Sequence, residues 1–250
     1  MKENETVLLR TRHKDKFREY LTTVSGKQFH CEFGIVETAD LLDIKPGGTI
    51  VSHMGQQFSV IRPRAPDMFR LAKRTGAPIM PKDVGQIISH AGINSSDRVL
   101  EAGTGSGVLA IYLGSVAKEV ISYEIREDFV DNARANLSMA GLSNVEVRCG
   151  DIVDVMKQGS DFFDVIVLDI KDSAESVRHA CSRLIAGGFL VVYSPFIEQA
   201  KAVYLESMKA GFYSVHTLEC LERELSISER GTRPAPARVG HTGYLTFARK

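Results

Sequence analysis

The sequence predicts an α/β protein with a doubly wound, mostly parallel sheet, preceded by a small β-rich unit. From residue 75 to 221, apolar strand-like runs alternate with helix-like stretches, as is typical of parallel sheets. Residues 1–74 instead contain short apolar segments between turn residues, without a repeating α/β pattern. We therefore expect a β-rich domain over residues 1–74 and an α/β domain over residues 75–250.

The predicted elements follow from residue type and spacing. In the first domain, β-branched and aromatic segments between turn signals predict strands at 7–9, 29–36, 48–52 and 58–62. In the second, nearly continuous apolar runs indicate strands covered by helices on both faces. These strands are predicted at 98–103, 119–124, 144–151, 163–170, 188–195, 213–220 and 243–248, with helices at 107–117, 127–140, 173–184 and 198–209. An ordered loop or lid is expected over 231–241.

Charge is divided along the chain although 31 Lys+Arg balance 31 Asp+Glu. Residues 1–74 carry 13 basic and 9 acidic residues, residues 75–221 carry 12 and 19, and residues 222–250 carry 6 and 3. The net charges are therefore +4, −7 and +3. Because two basic segments flank an acidic domain, a polyanionic partner such as RNA is compatible with the neutral whole.

No segment of the sequence indicates a membrane or a metal. Apolar runs fall short of the roughly 18 residues of a membrane span, and the first residues lack a signal-peptide pattern. The four cysteines stand far apart without a C-x-x-C pair, which argues against zinc knuckles and thioredoxin-type motifs. We expect a cytoplasmic protein with reduced thiols.

The sharpest motif is Leu100-Glu101-Ala102-Gly103-Thr104-Gly105-Ser106-Gly107, where a predicted strand runs into a glycine loop that opens a helix. Glycines let the backbone turn tightly and approach a ligand closely. Such a loop at the carboxyl edge of an α/β sheet favours a nucleotide-like ligand. Its spacing differs from G-x-G-x-x-G, which disfavours a nicotinamide oxidoreductase.

Acidic residues stand at the ends of four consecutive predicted strands, at Glu101, Glu124, Asp151 and Asp169. Since the carboxyl ends of parallel strands meet at one edge, we expect these side chains to lie close together. A carboxylate in the second position can accept hydrogen bonds from both hydroxyls of a ribose, and one in the third suits an adenine amino group. The set predicts a nucleoside site beside the glycine loop.

These motifs, in this order, resemble those of class I S-adenosylmethionine-dependent methyltransferases over roughly residues 80–220. More narrowly, Pro81-Lys82-Asp83, Ser122-Tyr123-Glu124, His241-Thr242-Gly243-Tyr244-Leu245 and Val60-Ile61-Arg62-Pro63 resemble the tRNA (adenine-N1)-methyltransferases that act in the T-loop. The resemblance implies a Rossmann-like seven-stranded sheet, S-adenosyl-L-methionine as cofactor and no metal. It further implies a homotetramer that binds tRNA and methylates adenine fifty-eight, with fifty-seven also modified in some members.

The same resemblance assigns the site residues. Asp169 would be catalytic, because a carboxylate can accept a hydrogen bond from the exocyclic amine of adenine and stabilise the charge that methylation of N1 creates. Glu124 would bind the ribose, Phe129 would lie against the nucleoside, and Asp151 would recognise its adenine. The residues assigned to the cofactor are Glu101, Gly103, Thr104, Gly105, Ser106, Gly107, Val108, Glu124, Phe129, Asp151, Ile152 and Asp169.

A base in tRNA has to leave its stack to reach such a site, at a cost of a few kcal/mol that other contacts offset. We expect phosphate contacts from basic residues of the flanking segments. These are Arg62, Arg64, Arg70, Lys73, Arg74, Arg230, Arg233 and Arg238. The family usually continues from the catalytic Asp into a proline-rich stretch ending in Trp, whereas this chain continues with Ile170-Lys171-Asp172, so the base is expected to be held differently.

Two other interpretations stay open. The enzyme could methylate another RNA base or a small molecule, or the chain could be a non-catalytic tRNA-binding subunit on the same fold. Retention of the glycine loop together with Glu124, Asp151 and Asp169 favours an enzyme. For His241, a role in ordering the C-terminal loop competes with contact to the base.

Overall fold

The computed structural model describes residues 1–236 and 240–250, so that Arg238, one of the predicted RNA contacts, lies outside the described residues. Within these two ranges, no helix combines the length and apolar character that a membrane crossing requires. The first part of the chain forms β1 (Thr6–His13), β2 (Lys16–Thr23), β3 (Gln28–Cys31), β4 (Gly34–Glu37), β5 (Thr49–Val51) and β6 (Gln57–Ile61). A 3₁₀ helix, Thr38–Asp43, precedes β5, and helix α1 (Ala65–Leu71) follows β6.

The β-rich domain is an antiparallel sheet in the order β2-β1-β6-β5, with β3 and β4 as a separate hairpin. Its core includes Leu9 and Phe58, both fully buried. Strand β2 was missed in the sequence because its residues, KFREYLTT, are largely charged or polar and none of them is fully buried. The predicted strand 29–36 is wrong as one element, because the chain reverses before Gly34, whose φ of +105° lies in the region that favours glycine.

The second part forms the predicted seven-stranded sheet, in the order β12-β15-β11-β10-β7-β8-β9. Among the described strands of this sheet, β15 alone is antiparallel to its neighbours. The strands are β7 (Arg98–Ala102), β8 (Glu119–Glu124), β9 (Val145–Cys149), β10 (Phe163–Leu168), β11 (Leu184–Ser194), β12 (Ser214–Glu219), β13 (Leu225–Ser228), β14 (Gly231–Pro234) and β15 (Tyr244–Arg249). The helices are α2 (Pro81–Ala91), α3 (Val108–Gly114), α4 (Glu127–Ala140), α5 (Ile152–Gln158), α6 (Ser173–Arg183) and α7 (Ile197–Lys209).

Neighbouring residues of the central strands enter two different cores. In β10, Val165 and Val167 pack on one face of the sheet, whereas Ile166 and Leu168 pack on the other. All four are at most 2% exposed. Because helices cover both faces, each position of the strand needs an apolar side chain, and this accounts for the continuous apolar run in the sequence.

Helix α1 packs against the α/β domain. Met68 of α1 joins a buried cluster with Ile111 of α3 and Val130 of α4, and Leu21 of β2 packs against the same cluster. Residues 65–72 therefore contribute to the core of the domain that the sequence predicts to begin at residue 75.

Between β12 and β15 the chain leaves the sheet. We call residues 221–241, which connect these two strands, the arm. The described part of the arm contains the hairpin of β13 and β14, in which every residue is exposed. The arm includes the segment expected to form an ordered loop or lid. Its two ends lie side by side, because Glu219 pairs with Tyr244 across β12 and β15.

Candidate active site

The glycine loop lies between the end of β7 and the start of α3, at the carboxyl edge of the parallel strands. Gly103, Gly105 and Gly107 all have positive φ, at +90°, +53° and +76°. A Cβ on Gly103 would collide with the carbonyl oxygen of Asp169. The two strand ends are also joined directly, since the backbone amide of Asp169 donates to the carbonyl of Ala102 at 2.8 Å. Glycine at position 103 is therefore what lets Asp169 lie beside the loop.

Glu124 holds the loop from the end of β8. Its Oε2 accepts a hydrogen bond from the amide of Gly105 at 3.0 Å, and its Oε1 accepts from the amides of Ile125 and Arg126 at 3.0 and 3.1 Å. A carboxylate offers about four acceptor positions, so capacity for a ligand hydroxyl remains. The hydroxyls of Thr104 and Ser122 add a second link between loop and strand, at 2.5 Å.

Two cavities adjoin Gly103. The larger, of about 320 Å³, is lined by Glu124, Asp151 and Ile152 and by Ile170-Lys171-Asp172. The smaller, of about 40 Å³, is lined by residues 103–106, Val108 and Asp169, together with residues 76–79 before α2. Since Gly103 belongs to both walls, one elongated ligand could occupy the larger cavity with its nucleoside and reach Asp169 with its other end.

Four predicted cofactor residues have other surroundings, and the first of them, Glu101, lines neither cavity. Asp151 lines the larger cavity but also begins α5, where its Oδ1 accepts a hydrogen bond from the amide of Val153 at 2.8 Å. Gly107 lines neither cavity and instead allows α3 to approach Ala133 of α4. Phe129 also lies outside both cavity walls, with the guanidinium of Arg126 over its ring. Its contact with the nucleoside stays a prediction.

Two of the acids near the loop, Glu101 and Asp169, have raised pKa values. Glu101 is 1% exposed, and its Oε2 has no hydrogen-bond partner among the described residues. Burial, reinforced by the charges of Asp169 and Glu124, raises the pKa of Glu101 to about 7. Burial also raises the pKa of Asp169 to about 6. A cationic ligand at this end of the site would stabilise both carboxylates.

A family model described as "tRNA methyltransferase complex GCD14 subunit" matches residues 60–232. The match spans more than half of the chain and includes the glycine loop and all four acids. The chain belongs to this tRNA methyltransferase family.

Relatives and solved structures agree with the family. The chain is 36% identical to the tRNA (adenine(57)-N(1)/adenine(58)-N(1))-methyltransferase TrmI of Methanocaldococcus jannaschii, over 94% of this chain and 92% of the relative. The tRNA (m1A58) methyltransferase TrmI of Aquifex aeolicus has 28% identity and a TM-score of 0.75, covering 100% of this chain and 98% of that one. A SAM-dependent O-methyltransferase of Thermotoga maritima has 25% identity and a TM-score of 0.83, covering 100% and 94%. The predicted class I methyltransferase fold is confirmed.

The site of this tRNA methyltransferase family member fits S-adenosylmethionine. The glycine loop leaves space where a Cβ would stand, and the larger cavity has the size of a small-ligand site. The half-buried Asp169 lines the smaller cavity, and its carboxylate, together with the nearby buried charge of Glu101, suits a ligand that carries a sulfonium and an ammonium group. Among the described residues, no group of three or more His, Cys, Asp or Glu side chains is placed to hold a metal ion.

Several predicted RNA contacts have partners within the protein. Arg62 donates to Glu5 at 2.9 Å, and Arg70 forms ion pairs with Glu19 and Asp67. Both arginines remain partly exposed in these ion pairs, so their contacts with RNA stay predictions. Arg230 and Arg233 are exposed in the arm.

His241 orders the base of the arm, which was one of its two predicted roles. Its Nδ1 lies 2.6 Å from Oε1 of Glu219, and its Nε2 lies 3.0 Å from the carbonyl oxygen of Pro195. These two acceptors raise the pKa of His241. The protonated ring donates to both and joins the ends of β12, β11 and the arm.

We expect Gly103→Ala to abolish binding of S-adenosylmethionine, because the new Cβ would push the loop away from Asp169. The control is Gly141→Ala, at a position that also has positive φ (+69°) but has no atom within 4 Å of the added Cβ. The control should lose only about 1 kcal/mol of stability, from backbone strain, and keep its affinity. Calorimetric titration with the cofactor checks both variants, and equal affinities would contradict the role given to Gly103.

We expect Glu101→Gln to stabilise the ligand-free protein at pH 8. The folded-state pKa of Glu101 exceeds its unfolded value of 4.5, so the folded protein binds the extra proton, and stability falls as pH rises from about 4.5 to 7. The full penalty above pH 7 is on the order of 3 kcal/mol. Urea unfolding should show this gain at pH 8 and little at pH 4.5, whereas exposed Glu198→Gln should show neither; a pH-independent gain would argue against a buried titrating carboxyl.

Proposed function

We propose that this protein transfers the methyl group of S-adenosyl-L-methionine to N1 of adenine in the T-loop of tRNA, at position 58 and, as in the name of the M. jannaschii relative, also at position 57. The observation that carries the proposal is Asp169, a half-buried carboxylate at the wall of the small cavity beside the glycine loop. Family membership supports tRNA as the substrate. We also propose that the protein acts in the cytoplasm.

The bound cofactor supplies an electrophilic methyl group on a sulfonium. Glu124 would accept hydrogen bonds from the ribose hydroxyls while still holding Gly105. Asp151 would accept from the adenine amine of the cofactor with the carboxylate oxygen that does not bind Val153. The amides of the loop, and the apolar side chains of Val108 and Ile152, would line the remaining surface.

Asp169 would act on the substrate base. N1 of adenine has a lone pair, so its attack requires alignment with the methyl group more than activation. The carboxylate of Asp169 would accept a hydrogen bond from the exocyclic amine, fix the base in line, and stabilise the positive charge that develops. Because only the ionised carboxylate does this, turnover should rise with pH through the raised pKa of about 6.

The test is transfer of labelled methyl to unmodified tRNA, followed by mapping of the labelled nucleotide. Guanine substitutions at positions 57 and 58 of the transcript distinguish one target from two. Asp169→Ala should keep cofactor affinity and lose turnover by about 10²- to 10⁴-fold, whereas Asp161→Ala, at an exposed carboxylate, should resemble wild type. Cofactor binding without methyl transfer would favour the non-catalytic subunit, and label on another base or on a small molecule would favour the other enzyme class.

We further propose that the hairpin of β1 and β2 contacts the tRNA backbone. Residues 10–18 contain five Lys or Arg and one Asp, while the rest of residues 1–74 contains eight basic and eight acidic residues. The hairpin of β1 and β2, residues 6–23, also contains Glu19, so it carries +3 of the net charge of +4 of the domain. Phe17 at its tip is 62% exposed, with Arg10 over its ring, and an exposed aromatic among cations suits RNA.

Replacing Arg12, Lys14, Lys16 and Arg18 with Ala should raise the KM for tRNA and leave cofactor affinity unchanged. The dependence of tRNA binding on salt should weaken by a slope of about 3, because fewer counterions are released. The matched control replaces four exposed lysines elsewhere, Lys45, Lys118, Lys157 and Lys201. Equal behaviour of the two quadruple variants in a salt titration would remove the hairpin from the tRNA-binding surface.

A homotetramer is also proposed. Leu221, Leu225 and Ile227 of the arm are 74%, 58% and 77% exposed. Clustered exposed apolar side chains favour burial against another protein surface. In the proposed homotetramer, this other surface belongs to a second copy of the chain. Light scattering of the purified protein measures the number of subunits directly.

A further inference from the structure

Two sequence motifs that have no role in the proposed chemistry meet in space. Lys82 and Asp83 begin α2, whereas Thr242 lies 160 residues after Lys82, between the arm and β15. In the structure these three side chains form a closed ring of hydrogen bonds, which we call the clamp. The side chain of Asp83 is completely buried and that of Lys82 is 12% exposed.

Every donor and acceptor of the clamp has a partner. The ammonium of Lys82 donates to Oδ1 of Asp83 at 2.7 Å, to the hydroxyl of Thr242 at 2.7 Å and to the carbonyl of Cys220 at 2.6 Å. These bonds use all three of its protons. The hydroxyl of Thr242 in turn donates to Oδ2 of Asp83 at 2.8 Å. Cys220 and Thr242 flank the two ends of the arm, so a single lysine ties both ends to α2.

The clamp is also linked to the wall beside Asp169. The phenol of Tyr193 donates to the carbonyl of Thr242 at 2.6 Å. Tyr193 follows Val192 of β11, and Val192 pairs with Leu168, the residue before Asp169. Burial and the charges of Asp83 and Asp169 raise the pKa of Tyr193 to about 12, so its phenol stays a donor. The chain before α2 reaches the same place, because Ile79 and Asp169 line one cavity.

We propose that Lys82, Asp83 and Thr242 are positioning residues. They anchor the arm, and they hold the cavity wall beside Asp169, formed by residues 76–79, in its place. This inference rests on the proposed methyl transfer. The target base has to reach Asp169, and the wall of that cavity includes residues 76–79, which directly precede α2 and the clamp. Gly243 fits the same arrangement, since a Cβ there would collide with the ring of Tyr193. Such a wall affects the rate, because misplacement by about 1 Å can cost about 10²-fold.

The test compares Thr242→Val, which removes the hydroxyl at nearly constant volume, with Thr242→Ser, which keeps it. Thr217→Val is the matched control, because Thr217 makes a hydroxyl contact to Thr246 at 2.9 Å in the same sheet but outside the clamp. Thr242→Val should lower kcat on tRNA by ~10- to 100-fold with cofactor affinity within about twofold of wild type. Thr242→Ser should restore kcat, and hydrogen exchange over residues 221–236 should accelerate only in Thr242→Val.

Equal kcat and equal exchange in Thr242→Val and Thr217→Val would overturn the proposal. A loss of kcat that Thr242→Ser does not rescue, or that comes with an equal loss of cofactor affinity, would also overturn it, because general destabilisation then explains the effect. If wild-type protein transfers no methyl group to tRNA, the proposed function fails instead. Hydrogen exchange of the arm then still decides whether the clamp anchors it.

Discussion

The site depends on the close approach of two strand ends, β7 and β10. The amide of Asp169 donates to the carbonyl of Ala102, and the next residue, Gly103, has no side chain to separate the backbones. This contact places the glycine loop and the carboxyl group of Asp169 against the same small cavity. Any larger residue at position 103 would separate the glycine loop from Asp169, even if the rest of the sheet were unchanged.

Acidic and basic side chains are concentrated in different parts of the protein. Buried acids near the loop, above all Glu101, destabilise the ligand-free protein at neutral pH and favour a cationic ligand. Lys171 lines the larger cavity, whereas groups of basic residues lie on the hairpin of β1 and β2 and in the arm. Separation of the two signs lets one chain of zero net charge provide an acidic cofactor site and a basic RNA surface.

Sequence patterns predicted the α/β sheet and the residues around its carboxyl edge, because both follow from local rules. Strands buried on two faces have to be apolar throughout, and the strand ends of a parallel sheet have to meet at one edge. Local rules do not report the partners of a charged side chain. The sequence therefore could not show that Glu5 and Glu19 bind Arg62 and Arg70, whose contacts with RNA stay predictions. Strand β2 was missed because its side chains are largely polar.

The sequence by itself determined the fold class, the glycine loop and the order of the acids Glu101, Glu124, Asp151 and Asp169. It also showed the motifs that contain Lys82-Asp83 and Thr242. It did not predict the contact between them, because 160 residues separate Lys82 from Thr242 and no periodic pattern connects them. Only the tertiary structure decided that contact, together with the absence of Phe129 from the cavity walls. The reason is physical: strand and turn propensities act over a few residues, whereas buried polar groups find partners wherever the chain returns.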